Sequence, residues 1–343
     1  MRKVIFSLIV ANGMLTIMSP VVAHHGHGLY NFAESISLRG VVKRVRWVNP
    51  HVHFEVETSQ PNGERTVWIV DAEPPALMSK FGWRSDSLAP GDLVTITGIP
   101  ARNPERKIAS GVSAITADGN HLWISGATPY DELAKDLANP FYADGLSGTW
   151  STRFNAEAVV TYFHREPSDS LTDEGNQALE SQSEILTPGS ECIPNPVPYT
   201  MLVPISSEIE IGETITRIWF EGDQGLVERV VHMNVDSHDD ASYSNQGHSI
   251  GRWEGDVLVV DTTHFEVHEY GHGRGIPSSP EKHLVERLEL SPDRSSLSYT
   301  FWVEDPRYLA EPATATIELL YRPDLEILDI PCDLESARRY LEE

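Results

Sequence analysis

Short apolar–polar alternations, each closed by a glycine, proline or aspartate turn, recur along most of this 343-residue chain and constrain its fold more than any other feature. Val52, Phe54 and Val56 alternate strictly with polar neighbours, and residues 283–290, 297–304 and 313–321 carry similar runs. A period of two puts every second side chain on one face of a strand, so such runs read as half-buried β-strands. No long amphipathic helix interrupts them before LESARRYLEE at the end. The chain is therefore read as all-β. Its 40% hydrophobic content is ordinary for a globular protein and excludes wholesale disorder.

The first 23 residues stand outside this pattern. Arg2 and Lys3 precede a mostly apolar run over 4–18, Pro20 breaks it, and Val21-Val22-Ala23 has the spacing of a signal-peptidase site. This reads as a cleaved secretory signal and predicts a periplasmic protein; an uncleaved anchor is the alternative. No later stretch reaches transmembrane length, so no integral span is expected.

Residues 24–124 read as an OB-like five-stranded barrel. Residues 36–58 read as two strands broken at Asn49-Pro50, or as one long strand bent at Pro50, and further strands are expected over 65–72, 93–101 and 108–117. A short helix opened by Pro74-Pro75 lies between the third and fourth, the element order of an OB-fold. Residues 125–144 read as a linker. Residues 145–343 read as a larger antiparallel barrel, with strands expected near 199–205, 214–222, 226–234 and 256–262 besides those above. Gly148-Thr149-Trp150 is similar to the opening of lipocalin-like barrels, whose interior holds a small ligand.

Charge separates the two domains. Residues 36–124 hold 10 basic and 9 acidic residues, whereas 125–343 hold 14 and 41, a balance of 14 − 41 = −27. Nucleic acid is a poor partner for such a chain, because phosphate binding needs a lysine and arginine excess. No P-loop or dinucleotide fingerprint is present. Cys192 and Cys332 are the only cysteines and are expected to pair in an oxidising compartment, a link worth roughly 4–5 kcal/mol in the chain-entropy account. Two free thiols are the alternative.

Several segments resemble a family of uncharacterised exported bacterial proteins. Their mature chains open on His-His and carry Trp-x-Asn-Pro-His, here His24-His25 and Trp47-Val48-Asn49-Pro50-His51. The second domain resembles companion proteins through GHSIGRWEGDVLVVDTTHF (247–265), HLVERL (283–288) and VEDP (303–306). The resemblance implies a fold and an export route, not an activity. The companion pattern has no histidine triplet after the VDTT strand, so His264, His268 and His272 look particular to this chain.

Histidines supply the candidate sites. Cleavage after Ala23 would expose His24, whose amine and imidazole can chelate copper, with His51 or His53 completing the set. The other reading is a histidine-rich terminus beside two barrel-surface histidines. His268-Glu269-Tyr270-Gly271-His272 matches the zinc motif HExxH, but Gly271, Gly273 and Gly275 argue against the helix that motif needs. His264, His268 and His272 remain as a loop zinc site, less expected than copper. Asp236, His238, Asp239, Asp240 and His248 form a loop that could bind a divalent metal, supply an acid–base pair or simply be solvated. Glu254-Gly255-Asp256 reads as a hairpin turn. The leading expectation is a periplasmic binding protein for a metal ion or small molecule. The alternative is an enzyme acting on a small apolar substrate inside the second barrel, with His232, His248 or Asp261 as acid–base residues.

Overall fold

The computed structural model describes residues 29–60, 62–125, 141–152, 170–181, 187–202, 206–273 and 275–339. The expected signal segment and His24 lie outside the described residues, as does most of the expected linker.

The first domain comprises β1 (Ile36–Arg46), β2 (His53–Ser59), β3 (Arg65–Asp71), α1 (Pro75–Lys80), β4 (Leu93–Pro100), β5 (Ile108–Thr116) and β6 (His121–Trp123). The sheet order is β3-β2-β1-β4-β5-β6, and a β3–β5 pairing closes the first five strands into a barrel. The OB-like expectation holds in strand number and in the helix between β3 and β4. The alternating run of β2 buries Phe54 and Val56 against Leu38, Val70, Val94 and Ile96, all 5% exposed or less. Pro75 starts α1, where its fixed φ suits a first turn. The chain turns between β1 and β2 at Asn49 and a cis Pro50.

The second domain contains β7 (Gly148–Thr152), β8 (Ser206–Glu210), β9 (Ile215–Gly222), β10 (Gly225–Met233), β11 (His248–Glu254), β12 (Val257–Thr263), β13 (His283–Leu290), β14 (Ser296–Glu304) and β15 (Ala313–Tyr321). They close in the order β10-β11-β12-β13-β14-β15-β7-β8-β9. Every neighbouring pair is antiparallel except β10–β11, because the loop between them carries the chain back across the rim before β11 begins. The predicted hairpin turn joins β11 to β12, with Gly255 at φ +65°.

Two expectations change. Residues near 199–205 were expected as a strand, but Tyr199–Leu202 form a short helix and β8 begins at Ser206. Pro198 presets a helical φ, and Thr200, Met201 and Leu202 are buried consecutively instead of alternately. The lipocalin comparison also shifts. This barrel has nine strands, and large side chains occupy its interior: Trp150, Phe220, Tyr299 and Phe301, with Arg229 and Glu286 among them. Arg229 donates to Glu286 through both terminal nitrogens, to Thr262 at 2.7 Å and to Ser249 at 3.0 Å; Tyr299 donates to Glu286 at 2.7 Å.

Cys192 and Cys332 form a disulfide with Cα atoms 5.8 Å apart. It ties down a C-terminal segment, ending in a short helix at Leu334–Ala337, that lies against the first domain. Asn49 donates to the Ile330 carbonyl at 2.7 Å, Arg46 reaches Asp333 and Glu335 at 2.6 and 2.7 Å, and the Ser336 hydroxyl meets His53 Nε2 at 2.6 Å.

Candidate functional site

Strand parity decides which side chains meet. On β10, Arg229, Val231 and Met233 are buried inward, leaving His232 on the outer face. Ser249 and Thr262 likewise point in, which turns His248, Asp261 and Thr263 outward. On β13, buried Leu284 and Glu286 put His283 outside, and Glu304 follows on β14. The register links the row: Ile250 pairs with Asp261, Asp261 with Val285, and His283 with Glu304. The β10–β11 loop then lays His238 over it. Gly247 lets the chain turn into β11 at φ +71°; a Cβ there would lie 2.7 Å from the Thr263 carbonyl oxygen. His264 follows β12 at φ +58°, the left-handed region, which folds its ring back toward the loop.

The result is a cluster of five histidines and two carboxylates. His238 and His248 bring their Nδ1 atoms to 2.8 Å. His238 Nε2 lies 3.1 Å from Asp261. His283 Nε2 meets the same carboxylate at 3.1 and 3.2 Å, and its Nδ1 meets Glu304 at 3.3 Å. The His232 ring stacks on His248 with centroids 4.9 Å apart, and His264 lies 6.1 Å from His238 and 6.4 Å from His248. Tyr243 packs on His264 at 4.9 Å.

Proton positions follow from the acceptors. A carboxylate only accepts, so His283, placed between Asp261 and Glu304, can donate from both nitrogens, an arrangement that favours its protonated form. Its pKa is raised accordingly, chiefly by the hydrogen bond to Asp261 and against its own partial burial. Burial would raise Asp261, yet bonds and charges from His283 and His238 outweigh it and hold its pKa down. His238 donates from Nε2 to Asp261, so its Nδ1 accepts from His248. Burial first, then the charges of His238, His232 and His264, hold His248 below the usual histidine range. Among the described residues no group of three or more histidine, cysteine, aspartate or glutamate side chains is arranged to hold a metal ion; the rings meet in pairs.

The sequence candidates separate on this geometry. His232, His248 and Asp261 come together, and the loop residue His238 joins them, but on the outer rim instead of the barrel interior. The proposed loop triplet does not assemble. His264 joins the cluster, while His268 and His272 are 5% and 2% exposed within the packing beneath. His272 Nε2 lies 3.0 Å from Asp305, and His268 accepts from the Tyr270 amide at 3.1 Å. Residues 268–272 form a turn, so HExxH has no helix here. Asp236, Asp239 and Asp240 flank His238 in the loop, and all three are exposed. His283 and Glu304 escaped the sequence reading. Strand parity could have found them, since both occupy outward positions on strands that were predicted.

The first-domain candidates also move. His51 precedes β2 and donates from Nδ1 to the Ala72 carbonyl at 2.7 Å. His53 is 1% exposed beneath Ser336, so it is an interdomain residue and not a surface one. Both rings face Asp71, at 3.5 and 3.3 Å, and Tyr30 donates to the other Asp71 oxygen at 3.3 Å.

Two cavities are lined by neither cluster. One of about 550 Å³ borders Leu88, Asp118 and His121; another of about 450 Å³ borders Gly148, Glu208 and Trp219. No curated protein and no solved structure matches the chain. Residues 13–110 match a family of unknown function (DUF6152), so the chain is similar to that family over β1 to β4, the start of β5 and the segment before them.

Proposed function

We propose that the chain is an exported, periplasmic metal-binding protein, and that the rim cluster of the second barrel holds a divalent cation, copper(II) foremost. The observation that carries this reading is the His238–His248 contact with Asp261 behind it. A carboxylate on the far nitrogen of an imidazole is the arrangement that orients metal-ligating histidines. Two adjacent ligands about 2.0 Å from a metal at a right angle lie about 2.8 Å apart, which suits tetragonal copper with nitrogen ligands. The two Nδ1 atoms are already 2.8 Å apart. A metal held by both Nδ1 atoms would require the proton between them to leave, and His248 would then carry it on Nε2; His264 and His232 would be the next imidazoles in reach. The −27 balance over 125–343 raises the local cation concentration. The disulfide and the pattern of residues 1–23 support export.

Copper titration of the protein purified from the periplasm, followed by calorimetry and electron paramagnetic resonance, tests this. The His238→Ala/His248→Ala chain should lose one tight copper equivalent, with affinity falling at least tenfold. Unchanged stoichiometry and affinity would refute the rim site. A His24→Ala chain tests the N-terminal copper site separately. The hydrogen-bonded His238–Asp261 pair also supports the enzyme reading, as an acid–base dyad. Hydrolysis of small apolar esters that persists in chelator and disappears in Asp261→Asn would favour it.

A further inference from the structure

The Cys192–Cys332 bond sits where the two barrels are tied together. Cys192 ends a short turn of helix at Pro188–Glu191 in the second domain. Cys332 lies in the C-terminal strap that crosses to the first domain, where the contacts fall on residues 330–336. Asn49 forms a parallel bridge with Cys332; its amide donates to the Pro331 carbonyl at 3.4 Å and its carbonyl accepts from the Asp333 amide at 2.8 Å. Arg46 holds Asp333 and Glu335. The Ser336 hydroxyl covers His53 Nε2 and donates to the His51 carbonyl at 3.4 Å, leaving His53 1% exposed.

The strap depends on its covalent anchor. Upstream of it, residues 322–329 form no strand; they reach the barrel where the Arg322 amide donates to the Thr149 carbonyl and the Leu328 amide to Glu221, both at 2.8 Å. The effective concentration of a tethered segment falls steeply as its tether lengthens. With the disulfide closed, Cys332 is held through one side chain. With it open, the nearest strand residue is Tyr321, at the far end of that stretch. Cutting one bond therefore weakens the Asn49, Arg46 and His53 contacts together. The bond is also within reach of a reductant, since neither cysteine is buried. Cys192 holds φ +57°, a left-handed conformation that a residue other than glycine adopts at a cost. Exposed or strained disulfides are the labile ones. Lys80, at the end of α1, donates to Ser151 at 2.9 Å, a contact between the barrels that does not involve the strap.

We propose that the Cys192–Cys332 bond is a redox-operated latch. Oxidised, it clamps residues 330–336 over the Arg46–His53 edge of the first barrel; reduced, it frees that edge while both barrels stay folded. A dithiol reductant supplies the two electrons. The Cys192–Cys332 S–S bond breaks, an S–S bond forms within the reductant, and its two protons pass to the cysteine sulfurs. A disulfide oxidant reverses the exchange. The latch is independent of the rim cluster and of any metal.

Hydrogen exchange on the full chain, oxidised and then fully reduced with dithiothreitol, tests it. Reduction should speed exchange at least tenfold over 330–337 and 46–53 and leave β13–β15 unchanged. Diethyl pyrocarbonate should modify His53 in the reduced chain and not in the oxidised one. Oxidised glutathione should restore the protected state. The Cys192→Ser/Cys332→Ser chain should behave as the reduced protein does. Unchanged exchange over 330–337, with two free thiols titrated per chain, would show that the non-covalent contacts hold the strap and would refute the latch. Faster exchange spread through β13–β15 would refute it as well, since the bond would then brace the whole barrel.

Discussion

The first barrel closes on five strands around aliphatic side chains such as Val42, Val56 and Ile96, whereas the second closes on nine around Trp150, Phe220, Tyr299 and the Arg229–Glu286 pair. Barrel diameter grows with strand number. A five-stranded interior is filled mostly by branched aliphatic groups, with Phe54, Met78 and Trp83 as its larger side chains. A nine-stranded one must be spanned by larger side chains, and here an arginine and a glutamate take part. A buried charge stays only where it is paired and its remaining hydrogen-bonding atoms are satisfied, and Ser249, Thr262 and Tyr299 do that for this pair. Width also affects the outside. The larger barrel has enough adjacent strands to line up His232, His248, Asp261, His283 and Glu304 in one row, while the smaller one holds only His51 and His53 together, at the start of β2 beneath the C-terminal segment.

The sharpest way to break this comparison is to unpair the ionic core. Arg229→Ala leaves Glu286 buried without its partner and should destabilise the protein by roughly 3–5 kcal/mol in urea unfolding. Replacing both, as Arg229→Met with Glu286→Leu, should recover most of that loss, because the pair acts mainly to fill the barrel. A cost for Arg229→Ala under about 1 kcal/mol would mean the interior tolerates the lone carboxylate, against the usual cost of an unpaired buried charge.

A smaller effect is read by pH in the second barrel. Burial, and then the Lys282 charge, push His268 down to about 4. A histidine whose folded pKa is depressed contributes stability that is present above its unfolded value of about 6.5 and lost as pH falls toward the folded value. At pH 5 this loss should be about 2 kcal/mol relative to pH 7.5. The His268→Asn chain, which retains an acceptor for the Tyr270 amide, should show an acid loss smaller by that amount. An unchanged difference between the two pH values would contradict it.

The smallest effect tests the aliphatic core. Ile96→Val removes one methylene from a fully buried site and should cost roughly 0.5–1.5 kcal/mol. A markedly larger value would indicate that the narrow barrel cannot relax around even a small gap.

Much of the fold was legible along the chain. The runs at 283–290 and 313–321 match β13 and β15 at both ends, since alternation with turn residues on either side leaves little freedom. The 199–205 segment was not, because a four-residue apolar run preceded by proline suits a helical turn as well as a strand. The disulfide followed from having only two cysteines in a chain expected to be exported, and Cα atoms 5.8 Å apart bear it out. The rim cluster was legible only in fragments. His232, His248 and Asp261 were named one by one, but whether they met depended on the strand register and on the parallel return of β11. HExxH was the most visible motif and carried the least, because its glycines bend 268–272 into a turn.

Residue types, spacing and charge thus determined on their own that this chain is all-β and that its acidity belongs to one domain, and they singled out histidines as the candidate site residues. Tertiary structure decided which histidines share a site. A period-two pattern places each side chain on a face, but only barrel closure and register place one strand's face beside another's. That is why His264 and His268, four residues apart, end in different surroundings, while His238 and His283, 45 residues apart, share one carboxylate.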